Sequence, residues 1–88
     1  MAWRIKMTAS MKDIKIWMEE AKKRNATHLI VALDAFDYDN YPVYVSANEN
    51  VHKKINQINW KAMQGIDEIY NMSIDIDKQL AEDRAYHI

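Results

Sequence analysis

The sequence predicts a small α+β domain in which a three-stranded sheet is packed with helices, in the order β-α-β-β-α-α. The chain has 88 residues, of which 49% are hydrophobic and 28% charged, and this is the composition of a single globular domain covering residues 1–88. Apolar residues alternate in some segments and recur every three or four residues in others, which are the periods of strands and helices. One glycine and one proline predict short connections between regular elements.

The first strand is predicted near the N-terminus. Trp3, Ile5 and Met7 alternate with Arg4 and Lys6, and a period of two is typical of a strand with one buried face.

A helix is predicted next, over residues 11–24. Ser10 and Asp13 have the spacing of a capping box, with Asp in place of the usual Glu. Asn25 is suited to the left-handed conformation that often ends a helix. The apolar face of this helix consists of Met11, Ile14, Trp17, Met18 and Ala21.

The middle of the chain predicts two strands joined by an acidic loop. Residues 27–34 form a continuous apolar run, which indicates a central strand covered on both faces. Residues 35–41 are rich in turn-forming and acidic residues. Pro42 donates no ladder hydrogen bond, so it is predicted to open a short strand at residues 42–46. Antiparallel pairing across the loop is the simplest connection.

Helical spacing dominates the rest of the chain. Val51, Ile55 and Ile58 predict a short helix with one apolar face. Residues 60–86 predict either one long C-terminal helix or a helix pair broken near Met72 and Ser73. A single helix of about 25 residues would be about 37 Å long and would extend beyond its own core. The overhang favours a homo-oligomer, a dimer or larger, in which a second copy covers it.

Composition and charge exclude some classes of function. With 12 basic and 13 acidic residues the net charge is −1, which argues against direct binding of duplex nucleic acid. No apolar run approaches the roughly 20 residues needed to cross a bilayer. These features and the absence of cysteine predict a cytoplasmic protein without membrane contacts.

Catalytic and metal-binding motifs are missing from the sequence. An EF-hand calcium loop is one interpretation of Asp37, Asp39 and Asn40. Such a loop needs Gly and Glu at two later positions, which are occupied here by Pro42 and Asn48. The three histidines form no zinc motif. No cysteine nucleophile, nucleophile elbow or phosphate-binding glycine loop is present. We therefore predict a protein that is not an enzyme and has neither a metal nor a cofactor.

Aromatic residues crowd the segment around the acidic loop. Tyrosine supplies rigid apolar area with a polar end, which suits a binding surface. We expect Tyr38 and Tyr41 to contact a ligand, and Phe36 and Tyr44 to pack in the core. The sequence leaves open whether Tyr38, Tyr41 and Tyr44 form one site.

Three cations complete the predicted ligand-binding set. Tyr38 and Tyr41 would stack on bases, while Arg4, Lys53 and Lys54 would contact phosphates.

Several stretches resemble small, uncharacterised accessory proteins of tailed bacteriophages. They are FDYDNYPVYV, the preceding HLIVALD, and the later MQGIDEIYNMS and RAYH. The resemblance covers about residues 27–87 and carries no known site residues. It implies a phage protein that acts in the cytoplasm of an infected bacterial host.

The resemblance implies a phage accessory protein, many of which neutralise host defences, and three hypotheses for its role are open. The first is a sponge that sequesters a small nucleotide-derived immune signal in an oligomer pocket. The second is a protein–protein inhibitor that docks its acidic, tyrosine-rich loop on a host defence protein or nucleic-acid-processing enzyme. The third is a structural phage oligomer without a ligand.

Overall fold

The computed structural model describes residues 10–61 and 63–88, and these ranges contain three helices and three strands. The elements are α1 (Met11–Lys23), β1 (His28–Asp34), β2 (Asp39–Val45), α2 (Val51–Trp60), β3 (Gln64–Asn71) and α3 (Ile76–Leu80). The α+β class and the three-stranded sheet are confirmed, but the observed order is α-β-β-α-β-α. The strand predicted at residues 3–7 lies outside the described residues and is not one of these three.

Helix α1 begins and ends close to its predicted limits. The Ser10 hydroxyl accepts a hydrogen bond from the Asp13 N–H at 3.1 Å, and the Asp13 carboxylate accepts one from the Ser10 N–H at 3.2 Å. This capping box satisfies N–H groups that have no partner within the helix. At the other end Asn25 adopts a φ of 55°, as expected for a left-handed residue after a helix. The buried face of α1 consists of Ile14, Met18 and Ala21.

Strand β1 lies at the centre of the sheet, whose order is β2-β1-β3 with both pairs antiparallel. The predicted central position of this strand and its hairpin with β2 are confirmed. Pro42 lies opposite Val31 in the middle of β2, not at its start. An edge strand tolerates proline at such a position because only one of its edges needs donors.

Helices cover both faces of the sheet because β1 sends apolar side chains to each side in turn. Leu29 and Val31 join the core cluster on the side of α1, while Ile30 and Ala32 join the cluster on the side of α2. The short helix predicted from Val51, Ile55 and Ile58 is confirmed as α2, in which Ile55 and Ile58 are buried.

The long helix or helix pair predicted for residues 60–86 is wrong. Residues 64–71 form β3, and only residues 76–80 are helical in the segment that follows. The register of β3 shifts opposite Val31 and Ala32, where Asp67 is an extra residue in a β-bulge. The bulge places Ile66 and Ile69 on the same face, in the core cluster of α2. A spacing of three, which is typical of a helix, therefore arises here in a bulged strand.

The corrected C-terminal half removes the argument for a second copy of the chain. Among the described residues the longest helix is α1, with 13 residues, and α3 has 5. No overhanging helix face in this part of the chain needs covering by another subunit.

The last residues of the chain run beside β3 and cover its outer edge. The Ile69 N–H donates to the Ala85 carbonyl at 3.0 Å, and the His87 N–H donates to the Ile69 carbonyl at 2.9 Å. The Arg84 guanidinium donates to two backbone carbonyls at the bulge, at 2.6 and 3.2 Å. These bonds satisfy groups that a strand edge would otherwise expose.

Gln79 ties α3 to the end of β3. Its side chain is buried, accepts a hydrogen bond from the Asn71 N–H at 2.8 Å and donates one to the Asn71 carbonyl, also at 2.8 Å. The Gln79 side chain thus forms hydrogen bonds with both backbone groups of Asn71, as a residue of a neighbouring strand would.

We expect Gln79→Leu to lower the free energy of unfolding by about 1–3 kcal/mol, because it leaves partly buried backbone groups of Asn71 without these partners while keeping the side-chain volume. Urea denaturation of the two proteins would measure the difference. The control is Gln57→Leu on the exposed face of α2, which should change stability by less than about 0.5 kcal/mol. Equal effects of the two substitutions would show that Gln79 has no special role.

Candidate functional site

An open groove with a volume of about 600 Å³ lies between α2 and the edge strand β2. It forms because alternate residues of β2, beginning with Tyr41 and Val43, face the core cluster of α2. Its lining consists of the aromatic residues Tyr41 and Trp60, the apolar residues Val43 and Ile58, the amides Asn56 and Gln57, and the cations Lys54 and Lys61.

Tyr41 is held in place at the β2 side of the groove. Its hydroxyl donates a hydrogen bond to Oε1 of Gln64, the first residue of β3. Burial raises the pKa of Tyr41, and the carboxylate of Asp34 raises it further. The phenol is therefore a neutral donor at physiological pH, and its ring is anchored across the sheet.

Trp60 is the last residue of α2 and is 90% exposed. Tryptophan combines a large apolar area with a polar N–H group, and it is seldom left in water to this extent. Its exposure offers a rigid face on which a planar or apolar group can pack.

The two lysines of the groove differ in their surroundings. The Lys54 ammonium lies 2.9 Å from a carboxylate oxygen of Glu49. Lys61, just beyond the end of α2, forms no ion pair with any residue of the described ranges. Lys61 is therefore the cation of the groove whose charge no neighbouring carboxylate offsets.

Glu49 is ionised over the whole physiological range. Hydrogen bonds from the Ser46 backbone, the Lys54 ammonium and the Ser46 hydroxyl lower the pKa of Glu49 to about 2. An anion that binds Lys54 must therefore compete with this carboxylate.

The structure brings together two of the five predicted ligand-binding residues, Tyr41 and Lys54. Lys53 lies beside the groove, in a separate hollow of about 270 Å³ at the start of α2. Tyr38 is exposed in the turn between β1 and β2. Arg4 lies outside the described residues.

The aromatic residues around the acidic loop do not form one cluster. Tyr44 packs against the core cluster of α1, on the opposite face from Tyr41, and the Arg24 guanidinium lies 4.3 Å from its ring centroid. Phe36, predicted to be in the core, is 76% exposed, because it lies in the tight turn beyond the end of β1.

Trp60 and Lys61 belong to the groove but were not singled out from the sequence. The helical interpretation of residues 60–86 placed both inside a long helix, where they had no special position. Because α2 ends at Trp60, Trp60 and Lys61 lie beside Tyr41 in the groove.

Other signs of function in the described residues are few. No group of three or more histidines, aspartates and glutamates in residues 10–61 and 63–88 is arranged to hold a metal ion. In the same ranges no helix combines the length and apolarity required to cross a bilayer. Comparisons with protein families, with curated proteins and with solved structures give no match.

His28 is an imidazole with one buried, unsatisfied nitrogen at the start of β1. Its Nδ1 lies 2.9 Å from the Thr27 hydroxyl, while its Nε2 is buried without a hydrogen-bond partner among the described residues. Burial lowers the pKa of His28, an effect opposed by the backbone of Ile88 and reinforced by His52.

We expect His28 to make the fold sensitive to mild acid. Because its pKa in the folded protein lies below the ordinary value of 6.5, the unfolded chain binds more protons between the two values. The contribution of His28 to stability is then complete above about pH 6.5 and is lost as pH falls through the lowered pKa. Thermal unfolding at pH 7.5 and pH 5 should show a smaller acid loss in His28→Gln than in the wild type.

The control for this measurement is His87→Gln. The Nε2 of His87 lies 2.7 Å from the Glu82 carboxylate, so this imidazole is not left without a partner, and the variant should not reduce the acid loss. If His28→Gln lost as much stability in acid as the wild type does, the proposed role of His28 would be wrong.

Proposed function

We propose that this chain is a non-catalytic bacteriophage counter-defence protein that sequesters a small nucleotide-derived immune signal in the groove between α2 and β2. The observation that carries the proposal is the lining of one open groove by two aromatic rings, Tyr41 and Trp60, and two lysines, Lys54 and Lys61.

The chemistry of the groove suits a nucleotide. Every base has a face that stacks on aromatic rings, and a neighbouring ammonium group attracts a phosphate. Trp60 offers an exposed ring for stacking, Tyr41 a fixed one, and Lys61 an unpaired charge. The volume of about 600 Å³ is within the range of small-molecule sites.

The lining also favours binding without conversion of the ligand. Among the described residues it contains no carboxylate, no histidine and no aliphatic hydroxyl, and its ionisable side chains there are Tyr41, Lys54 and Lys61. Acid–base or nucleophilic chemistry usually needs a group with a pKa near neutrality or an activated nucleophile. Sequestration needs only affinity.

The phage context and the host cytoplasm rest on the resemblance of residues 27–87 to phage accessory proteins. In this proposal one chain provides a complete groove. A homo-oligomer would multiply the number of grooves per particle.

We expect purified protein to bind at least one member of a panel of cyclic dinucleotides, cyclic trinucleotides and linear nucleotide signals in isothermal titration calorimetry. Trp60→Ala should weaken this binding about 5- to 150-fold, because the loss of one stacking contact is worth about 1–3 kcal/mol. The matched control is Ile16→Ala on α1, which also removes an exposed apolar side chain and should leave affinity unchanged.

The phosphate contact is tested separately with Lys61→Glu. We expect this change to abolish most of the binding and its salt dependence, whereas Lys15→Glu on the exposed face of α1 should have little effect. Absence of heat with every nucleotide of the panel would contradict the sponge and would leave the protein–protein inhibitor and the structural oligomer as the remaining hypotheses.

A further inference from the structure

A second exposed surface lies at the end of the sheet, where two connections meet. The turn between β1 and β2 and the connection between α2 and β3 are joined by a hydrogen bond of 2.8 Å from the Ala35 N–H to the Met63 carbonyl. We call the side chains of Phe36, Tyr38 and Met63 at this end the turn surface. It does not include any residue that lines the groove.

The turn surface is apolar and exposed. Phe36 is 76% exposed, Tyr38 59% and Met63 55%. Single exposed apolar residues are common, but three large ones at one end of a small domain are typical of an interaction site.

The backbone at this surface is strained. Tyr38 has a φ of 60° and Met63 a φ of 63°, in the left-handed region that bulky residues seldom adopt. Glycine or asparagine would adopt the same conformation more readily. Neither side chain offsets the strain by packing inside the fold, because both are exposed.

The only other non-glycine residue with positive φ in the described ranges shows the contrast. Asn25 has a φ of 55° at the end of α1, where the position is structural and the residue is one that tolerates it. At Tyr38 and Met63 the chain instead keeps large apolar side chains, which stability alone does not favour. Strain of this kind is found where function requires a particular side chain.

The charge around Phe36 and Tyr38 is negative, while Lys61 lies two residues before Met63 on the other connection. Asp37 and Asp39 flank Tyr38 and are exposed, and neither forms an ion pair within the described part of the chain. Asp34 precedes the turn, and its carboxylate accepts a hydrogen bond from the Phe36 N–H at 2.9 Å. Such a rim repels phosphate groups and attracts cations.

We propose that the turn surface docks on a protein partner whose own apolar patch is bordered by lysine or arginine. Phe36, Tyr38 and Met63 provide the apolar anchors, as aromatic residues and methionine do in many interfaces. Asp37 and Asp39 provide the charge that steers and orients a basic partner. The inference uses none of the residues that line the groove, so it is tested separately from the nucleotide proposal.

The experiment uses the ¹⁵N-labelled full chain and two matched peptide probes. One probe is a ten-residue peptide of alternating lysine and leucine with a single tryptophan, and the other has glutamate in place of each lysine. We expect the lysine probe to shift the amide signals of residues 35–39 and 63–64, and the glutamate probe to leave them unchanged. Tyr38→Asn and the double variant Asp37→Asn, Asp39→Asn should each weaken the lysine probe at least about tenfold.

A stability measurement separates a functional surface from a structural one. Tyr38→Asn should raise the thermal midpoint by about 4 °C or more, because it relieves backbone strain while removing the anchor. Ile16→Asn, at a similarly exposed position on α1, should not raise it. A gain of stability together with a loss of binding would support the proposal.

The proposal would be overturned by binding of both probes to the same extent, by binding of neither, or by shifts confined to another surface. Self-association of the wild type that is lost in Tyr38→Asn, measured by sedimentation, would also overturn it, because the partner would then be a second copy and not a basic protein.

Discussion

Strand β1 buries apolar side chains on both of its faces, and the positions of the other elements follow from this burial. Leu29, Ile30 and Val31 are completely buried, and each contributes about 1.5–3 kcal/mol relative to an exposed side chain. One face is covered by α1 and the other by α2. Both edges of β1 are also paired, by β2 and β3, so its backbone groups have partners inside the core. In a chain of 88 residues, this single strand organises both core clusters.

The two outer edges of the sheet are protected in different ways. At β3 the last residues of the chain pair with the strand, and Arg84 satisfies the carbonyls at the bulge. At β2 the proline at position 42 interrupts the row of donors that another strand would need. Within residues 10–61 and 63–88 no strand pairs with the outer side of β2, and Tyr41 is part of both the core margin and the groove wall.

The two proposed binding surfaces carry opposite charge. Lys54 and Lys61 line the groove, while Asp37 and Asp39 border the turn surface. The opposite charges largely cancel in the net charge of −1. The net charge therefore does not indicate which charged partners each surface would attract. A small domain with two such surfaces could bind two partners of different charge.

The sequence by itself determined the elements whose signals are local. The capping residues Ser10 and Asp13 predicted the start of α1, and the apolar run of residues 27–34 predicted the central strand and its hairpin with β2. Only the tertiary structure decided that residues 64–71 form a strand. The bulge at Asp67 gives the apolar residues of this segment a helical spacing, so their pattern predicts a helix. Pairing with the free edge of β1 outweighs this local preference. The tertiary structure also decided the composition of the groove. Tyr41 and Trp60 are far apart in the chain, and they line one site because β2 and α2 pack on the same face of the sheet.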